Sequence, residues 1–314
     1  MSILDSIGNT PLIEIKRIWK SGDVRIFAKV EGMNPGGSVK DRVAYQMVTD
    51  AITSRKLKPK MSVLEASSGN TGIGLAMVCS ALNYHCTIIM PKNVSSERMK
   101  LIRAFGASLI LVDGNTDDAI RTAKNYSKMK LGKGKAYYWT NQFDNPSNWR
   151  AHWLHTGPEI CQQLQKVGWS GYSAPNPDVL VASCGTTGTI RGCKTWFDYN
   201  YQATKKWKPG EEISTKTIAV FPKKDSKIQG LKNLEISKIP GIYDKSLINQ
   251  RDMADDDNSF LMVKRLAREE GIFCGMSSGA AMCAAIKEAK KMDHGWIVVI
   301  LPDNGYRYIS EGVF

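Results

Sequence analysis

The 314-residue chain has no apolar stretch approaching the length needed to cross a bilayer. Its N-terminus, Met1-Ser2-Ile3-Leu4-Asp5, lacks the basic segment and apolar run of a secretion signal. A cytoplasmic protein with no membrane partner is expected. Cysteine offers no framework: the seven residues (79, 86, 161, 184, 193, 274, 283) are odd in number and include no CxxC pair, so they read as free thiols used as small buried hydrophobes. Histidine is scarce, and His152 and His155, three apart, have no acidic residue where a metalloprotease places its base. Neither a disulfide scaffold nor a metal site is expected. Repeats, low-complexity tracts and nucleic-acid motifs are also missing. The formal charge of +13 comes from lysines spread through loops such as 128–135 and 205–208, and is read as solvated surface plus an electropositive pocket for small anions.

What is present is alternation. Short β-rich runs (12–15, 25–29, 63–66, 86–90, 108–112, 136–139, 179–182, 218–221, 296–301) alternate with helical patterns (41–55, 71–82, 96–105, 117–130, 149–166, 189–199, 259–270, 278–290). That pattern predicts an α/β fold of doubly wound, largely parallel sheets. Breaks at 144–147 and 168–177 suggest a smaller domain, 36–146, beside a larger one made of 1–35 plus 147–314.

Four loops carry the chemistry. In Asn34-Pro35-Gly36-Gly37-Ser38-Val39-Lys40-Asp41-Arg42, two glycines turn the backbone into a helical pattern, which puts Lys40 in the first turn. The positive end of the helix dipole should depress its pKa, and a neutral amine is the form that attacks carbonyls; the plain alternative is an exposed helix lysine. In Ser67-Ser68-Gly69-Asn70-Thr71-Gly72, hydroxyls, an amide and free N–H groups at a helix start suit a carboxylate or small anion. Its glycines lack G-x-G-x-x-G spacing, which argues against a dinucleotide. Gly185-Thr186-Thr187-Gly188-Thr189 follows an apolar run and opens a helix, suiting a phosphate dianion, and it lacks the G-K-[ST] ending of a triphosphate loop. Gly275-Met276-Ser277-Ser278-Gly279 fits G-x-S-x-G formally, but with no core strand just before it and only His294 after it, a serine hydrolase is not supported.

A lysine at a helix start, a phosphate cup and a small-anion loop together describe pyridoxal phosphate held as a Schiff base. A neutral hydroxyl such as Ser277 against the pyridine nitrogen would weaken the electron sink and favour loss of a β leaving group over transamination.

These residues, with Gly8-Asn9-Thr10-Pro11-Leu12, Asn141-Gln142-Phe143, Thr156-Gly157-Pro158-Glu159-Ile160, Glu270 to Gly279 and Asp303 to Tyr308, resemble the fold type II pyridoxal phosphate enzymes, and within them the cysteine synthases, especially the B-type branch. The resemblance runs nearly end to end. It implies that Lys40 joins the cofactor's aldehyde and then serves as the proton-transfer base. It implies that Asn70 meets the cofactor's 3′ oxygen and Ser277 its ring nitrogen, and that Gly185, Thr186, Thr187, Gly188 and Thr189 cradle its phosphate. Ser67, Ser68, Thr71 and Gln142 would hold the substrate carboxylate. The implied reaction is β-replacement through an aminoacrylate, with sulfide added to give L-cysteine under a smaller domain that closes to exclude water.

Two positions depart from the family. Ser67 stands where threonine is usual, and Thr187 where glycine is usual. A side chain at 187 calls for a backbone open to non-glycine residues, and would narrow the space beside the cofactor. Lys232 stands where phosphoserine-using relatives carry an arginine; lysine cannot form the bidentate fork, which puts O-acetylserine ahead of O-phosphoserine as substrate. Other outcomes are a related β-replacement enzyme of the cystathionine or diaminopropionate type, and a non-catalytic regulatory protein that keeps the cofactor. The resemblance implies a homodimer; nothing in the chain reads for or against a serine acetyltransferase partner.

Overall fold

The computed structural model describes residues 1–131, 135–168, 175–203 and 215–314. The lysine stretch at 205–208, residues 132–134 of the loop 128–135 and residues 169–174 of the break 168–177 lie outside them.

Two sheets form the frame. The first is six-stranded, in the order β1 (Leu12–Glu14), β2 (Val24–Val30), β11 (Gly295–Leu301), β8 (Val179–Ser183), β9 (Lys216–Pro222) and β10 (Gln250–Ala254). All its pairings are parallel except β1 with β2. The second is five-stranded, in the order β5 (Ser108–Val112), β4 (His85–Pro91), β3 (Ser62–Ala66), β7 (Lys135–Trp139) and β6 (Lys130–Leu131), parallel except at β6 with β7.

Strand periodicity explains why both faces of each sheet are covered. Along β11, Ile297, Val299 and Leu301 join one core, which includes residues of α8 (Asp256–Glu270) and α9 (Met276–Ala289). Val298 and Ile300 point to the other face and join α6 (Gly157–Lys166) and α7 (Gly188–Ala203). In the second sheet, Val63, Ile88 and Met90 pack with α1 (Lys40–Thr53), α2 (Asn70–Ala81) and Ile102 of α3 (Ser96–Ala104), whereas Leu64, Ala66 and Ile89 pack with α4 (Thr116–Tyr126). The doubly wound α/β expectation therefore describes the molecule.

Three local expectations are corrected. The helix drawn from 149 to 166 is α5 (Ser147–Ala151), a π-helical turn (His152–Thr156) and then α6. The helix drawn to 130 ends at Tyr126, and residues 130–131 are strand. Strand β10 was not anticipated: Gln-Arg-Asp is a polar run, tolerated because β10 is an edge strand whose alternate residues face outward.

Candidate active site

The loops that follow β3, β7, β8, β9 and β11 all leave the carboxyl ends of their strands, where open α/β sheets collect ligands. They enclose a cavity of about 380 Å³. Its wall includes Lys40, Ser67, Ser68, Asn70, Thr71, Gln142, Gly185, Thr186, Thr189, Lys232 and Ser277. Of the sequence-predicted residues, Thr187 and Gly188 alone are absent from that wall; they lie beneath it, both buried.

Lys40 is the first residue of α1, and its N–H bonds Ser38 Oγ at 3.2 Å. Burial lowers the pKa of its amine, against the opposing pull of Asp303, Cys184 and Glu31. The helix start was expected to do this, but desolvation leads, because the amine is surrounded by protein deep in the cleft. Beneath α1, the Arg42 guanidinium grips Glu31 (2.7 and 2.9 Å) and Glu159 (2.6 and 2.7 Å). Lys29, fully buried, adds bonds to Glu159, Gln163 and the Thr10 carbonyl. Despite burial, its cationic neighbours hold Glu31 down at about 2.

The substrate-side loop is self-supporting. Ser67 Oγ accepts from the N–H groups of Gly69 and Gly72, both at 3.1 Å, which leaves its own hydrogen to donate. Thr71 Oγ1 donates to Gln142 Oε1 at 2.6 Å, and Gln142 Nε2 donates to the Ala66 carbonyl at 3.0 Å. Behind them, buried Glu65 accepts from Thr140, Gln142 N and Ala66 N, and desolvation raises its carboxyl to about 7.

The phosphate-type cup begins where β8 ends. Thr186 Oγ1 accepts from Asn148 Nδ2 (3.1 Å) and from Gly188 N (3.4 Å), so its hydroxyl hydrogen remains to be donated elsewhere. The first N–H groups of α7 have no intrahelical acceptor, which completes a donor-rich cradle for an anion. A side chain at Gly185 would put its Cβ 2.7 Å from the Gly230 carbonyl oxygen, so only glycine allows these two loops to close up. Thr189 Oγ1 lies 3.3 Å from His152 Nε2; burial, reinforced by Lys40, pushes that imidazole down to about 3 and keeps it neutral.

Thr187 corrects an expectation. Its φ is +69°, so the loop keeps the left-handed turn that glycine favours and places a β-branched residue in it. The Thr187 carbonyl accepts from Arg191 N at 3.1 Å, the first bond of α7, and a Cβ at Gly188 would run into Asn148 Oδ1. Thr187 Oγ1 is buried without a partner and does not narrow the cavity.

Lys232 is already engaged. Its Nζ bonds Asp117 Oδ1 at 2.9 Å and sits 4.8 Å from the centre of the Phe143 ring. Asp117 opens α4 of the second sheet, so this pair crosses the cleft, as does the Arg98 bond to Gln229.

Sequence reasoning missed Asp117, Asp303 and Arg307, and it noted Asn148 only in the dipeptide Asn148-Trp149, without its bond to Thr186. Asp303 and Arg307 lay in a stretch noted only as a motif. Their partner, Asn70, is 233 and 237 residues away. Among the described residues, no group of three His, Cys, Asp or Glu side chains could hold a metal ion.

Residues 3–303 match the family described as pyridoxal-phosphate dependent enzyme. The whole chain aligns at 36% identity with 96% of a cysteine synthase of Staphylococcus aureus (strain Mu50), and at 38% with 96% of cysteine synthase B of Escherichia coli (strain K12). The crystal structure of Cysteine Synthase (OASS) from Entamoeba histolytica superimposes with a TM-score of 0.86 at 34% identity, covering 99% of this chain and 90% of that one. With matches of this extent, joined to a desolvated lysine facing an anion cradle, the chain belongs to the fold type II pyridoxal-phosphate dependent enzymes, in their cysteine synthase group.

Proposed function

We propose that this protein is a cysteine synthase that converts O-acetyl-L-serine and sulfide to L-cysteine and acetate. The observation that carries the reading is a single cavity in which the buried Lys40 amine shares the wall with the Ser67–Thr71 loop, Gln142, the 185–189 cradle and Ser277. This donor set fits pyridoxal phosphate. The free hydrogen of Thr186 and the N–H groups of Thr189 and Ile190, for which α7 offers no acceptor, suit a phosphate dianion, and the depressed pKa of Lys40 suits attachment of an aldehyde.

When bound, the cofactor supplies an electron sink for charge developing at the substrate Cα. Lys40 Nζ would hold it and would take up the Cα proton. Ser277 gives the ring nitrogen a neutral partner. Ser67, Ser68, Thr71 and Gln142 orient the substrate carboxylate, and Glu65 fixes Gln142 through its backbone N–H. Asp117 favours the acetyl donor: its carboxylate both occupies Lys232 and repels a phosphate at the cavity wall.

The smaller domain, 36–146, carries the carboxylate loop and moves toward the larger one to exclude water. The side-chain bridges Lys232–Asp117 and Arg98–Gln229, which cross between the two sheets, support that division. The same reading includes a homodimer, for which exposed Tyr306 and Ile309 offer apolar surface. It also includes a cytoplasmic setting; among the described residues, no helix is long and apolar enough to cross a membrane.

The test is reconstitution with pyridoxal phosphate, borohydride reduction and peptide mapping, followed by product analysis with both serine donors and with sulfide or homocysteine. Label on Lys40 and L-cysteine as product are expected. Turnover only with a different nucleophile would overturn the sulfide assignment, and a folded protein that takes up no cofactor would overturn the whole reading.

A further inference from the structure

Asn70 is the first residue of α2, lines the cavity with Lys40 and is only partly buried. Both ends of its amide are held from behind by the segment after β11. Its Nδ2 donates to Asp303 Oδ2 at 2.7 Å, and its Oδ1 accepts from Arg307. A guanidinium only donates and a carboxylate only accepts, so the amide has one orientation. The oxygen is turned to Arg307, and the nitrogen has a second hydrogen with no acceptor among the described residues.

The two clamping side chains are themselves fixed. Asp303 is 2% exposed; its Oδ2 also accepts from Tyr308 at 2.5 Å, and its backbone pairs with Ser38 and accepts from Gly275 N. Arg307, 3% exposed, donates in addition to the Gly36 carbonyl in the loop that leads to Lys40. The end of the chain thus braces the cofactor lysine loop and the Asn70 amide with the same side chain.

We propose that Asp303 and Arg307 are positioning residues that lock the Asn70 amide with its nitrogen toward the bound cofactor, so that it meets the ring oxygen as a donor and keeps that oxygen anionic. A free amide could rotate and present its oxygen, which would require a protonated ring oxygen. The proposal rests on the reading that pyridoxal phosphate is held at Lys40, and it deepens that reading by assigning control of the cofactor's protonation state to the C-terminal segment.

The test is the visible absorption of the reconstituted protein, read as the ratio of the short-wavelength band (ring oxygen protonated) to the long-wavelength band. Wild type, Arg307→Met, Arg307→Gln and Asn70→Ala are compared, with circular dichroism of each apoprotein as the check on folding. Losing a hydrogen bond to a charged oxygen should move the ratio about tenfold toward the short-wavelength form in Asn70→Ala, and a smaller, several-fold shift is expected in Arg307→Met, where Asp303 alone still holds the nitrogen. Arg307→Gln, which can still donate to Oδ1, should recover most of the wild-type ratio. Equal ratios in wild type and Arg307→Met, or an equal shift in Arg307→Gln and Arg307→Met, overturn the proposal. If Arg307→Met does not fold, an unchanged ratio in Asn70→Ala still overturns it. Failure of wild type to bind the cofactor is a separate outcome, which removes the underlying reading as well.

Discussion

Replacing Asp117 by asparagine should change which activated serine the enzyme uses. In the wild type, Lys232 Nζ lies 2.9 Å from Asp117 Oδ1, with the lysine side chain 10% exposed and the aspartate 39% exposed. Two unit charges about 4 Å apart near a protein surface interact by roughly 4 kcal/mol at an effective dielectric of about 20; side-chain entropy and the exposure of Asp117 reduce the net value to about 1 kcal/mol. Asp117→Asn removes a carboxylate that repels a phosphate and frees an ammonium that would attract one. Selectivity, taken as the ratio of kcat/KM for O-phosphoserine to that for O-acetylserine, should therefore rise roughly fivefold. The assay is initial-rate kinetics with each donor at fixed sulfide, repeated at high salt, where the gain should shrink. Lys232→Ala on its own should leave O-acetylserine use nearly unchanged, and adding it to Asp117→Asn should abolish most of the gain. A ratio unmoved by Asp117→Asn, or one that rises without depending on Lys232, would refute the reasoning.

Glu31→Gln should destabilise the fold by about 3 kcal/mol, because it leaves the buried Arg42 with Glu159 as its remaining carboxylate; urea unfolding at neutral pH measures this. The Glu31 pKa lies below its ordinary value, so its contribution is present above about 4.5 and lost as pH falls toward about 2, and the difference between wild type and variant should close over that window. Glu65 titrates the other way. Its carboxyl is raised to about 7, so wild-type stability is fullest below about 4.5 and declines as pH rises toward 7. Glu65→Gln should lack that decline, a relative gain on the order of 3 kcal/mol at pH 8, read from unfolding curves across the range. Thr187→Gly should raise stability by about 1 kcal/mol by relieving a left-handed backbone at a β-branched residue, with cofactor binding by titration unchanged. A loss of stability would show that Thr187 packing outweighs its backbone strain.

Much of the molecule was legible in the chain because its signals are local. Short continuous apolar runs such as Ile26-Phe27-Ala28 mark strands buried on both faces, and glycines and hydroxyl residues before apolar helices mark the loops at 36–40, 67–72 and 185–189. The start of a helix at Lys40 is a statement about a few neighbouring residues, and the sequence makes it. What the chain could not show is whatever depends on distant segments meeting. The polar run of β10 becomes a strand only because β9 offers it an edge, and the 149–166 helix passes through a π turn at 152–156, whose first residue, His152, meets Thr189. Lys232 read as a free cation until Asp117, 115 residues away, took its charge, and Asn70 had no orientation until Asp303 and Arg307 folded back onto it. Hydrophobic pattern and turn chemistry reach only a few residues along a chain, so they place the loops. Which donor faces which acceptor across the cavity was decided by the packing of the two sheets.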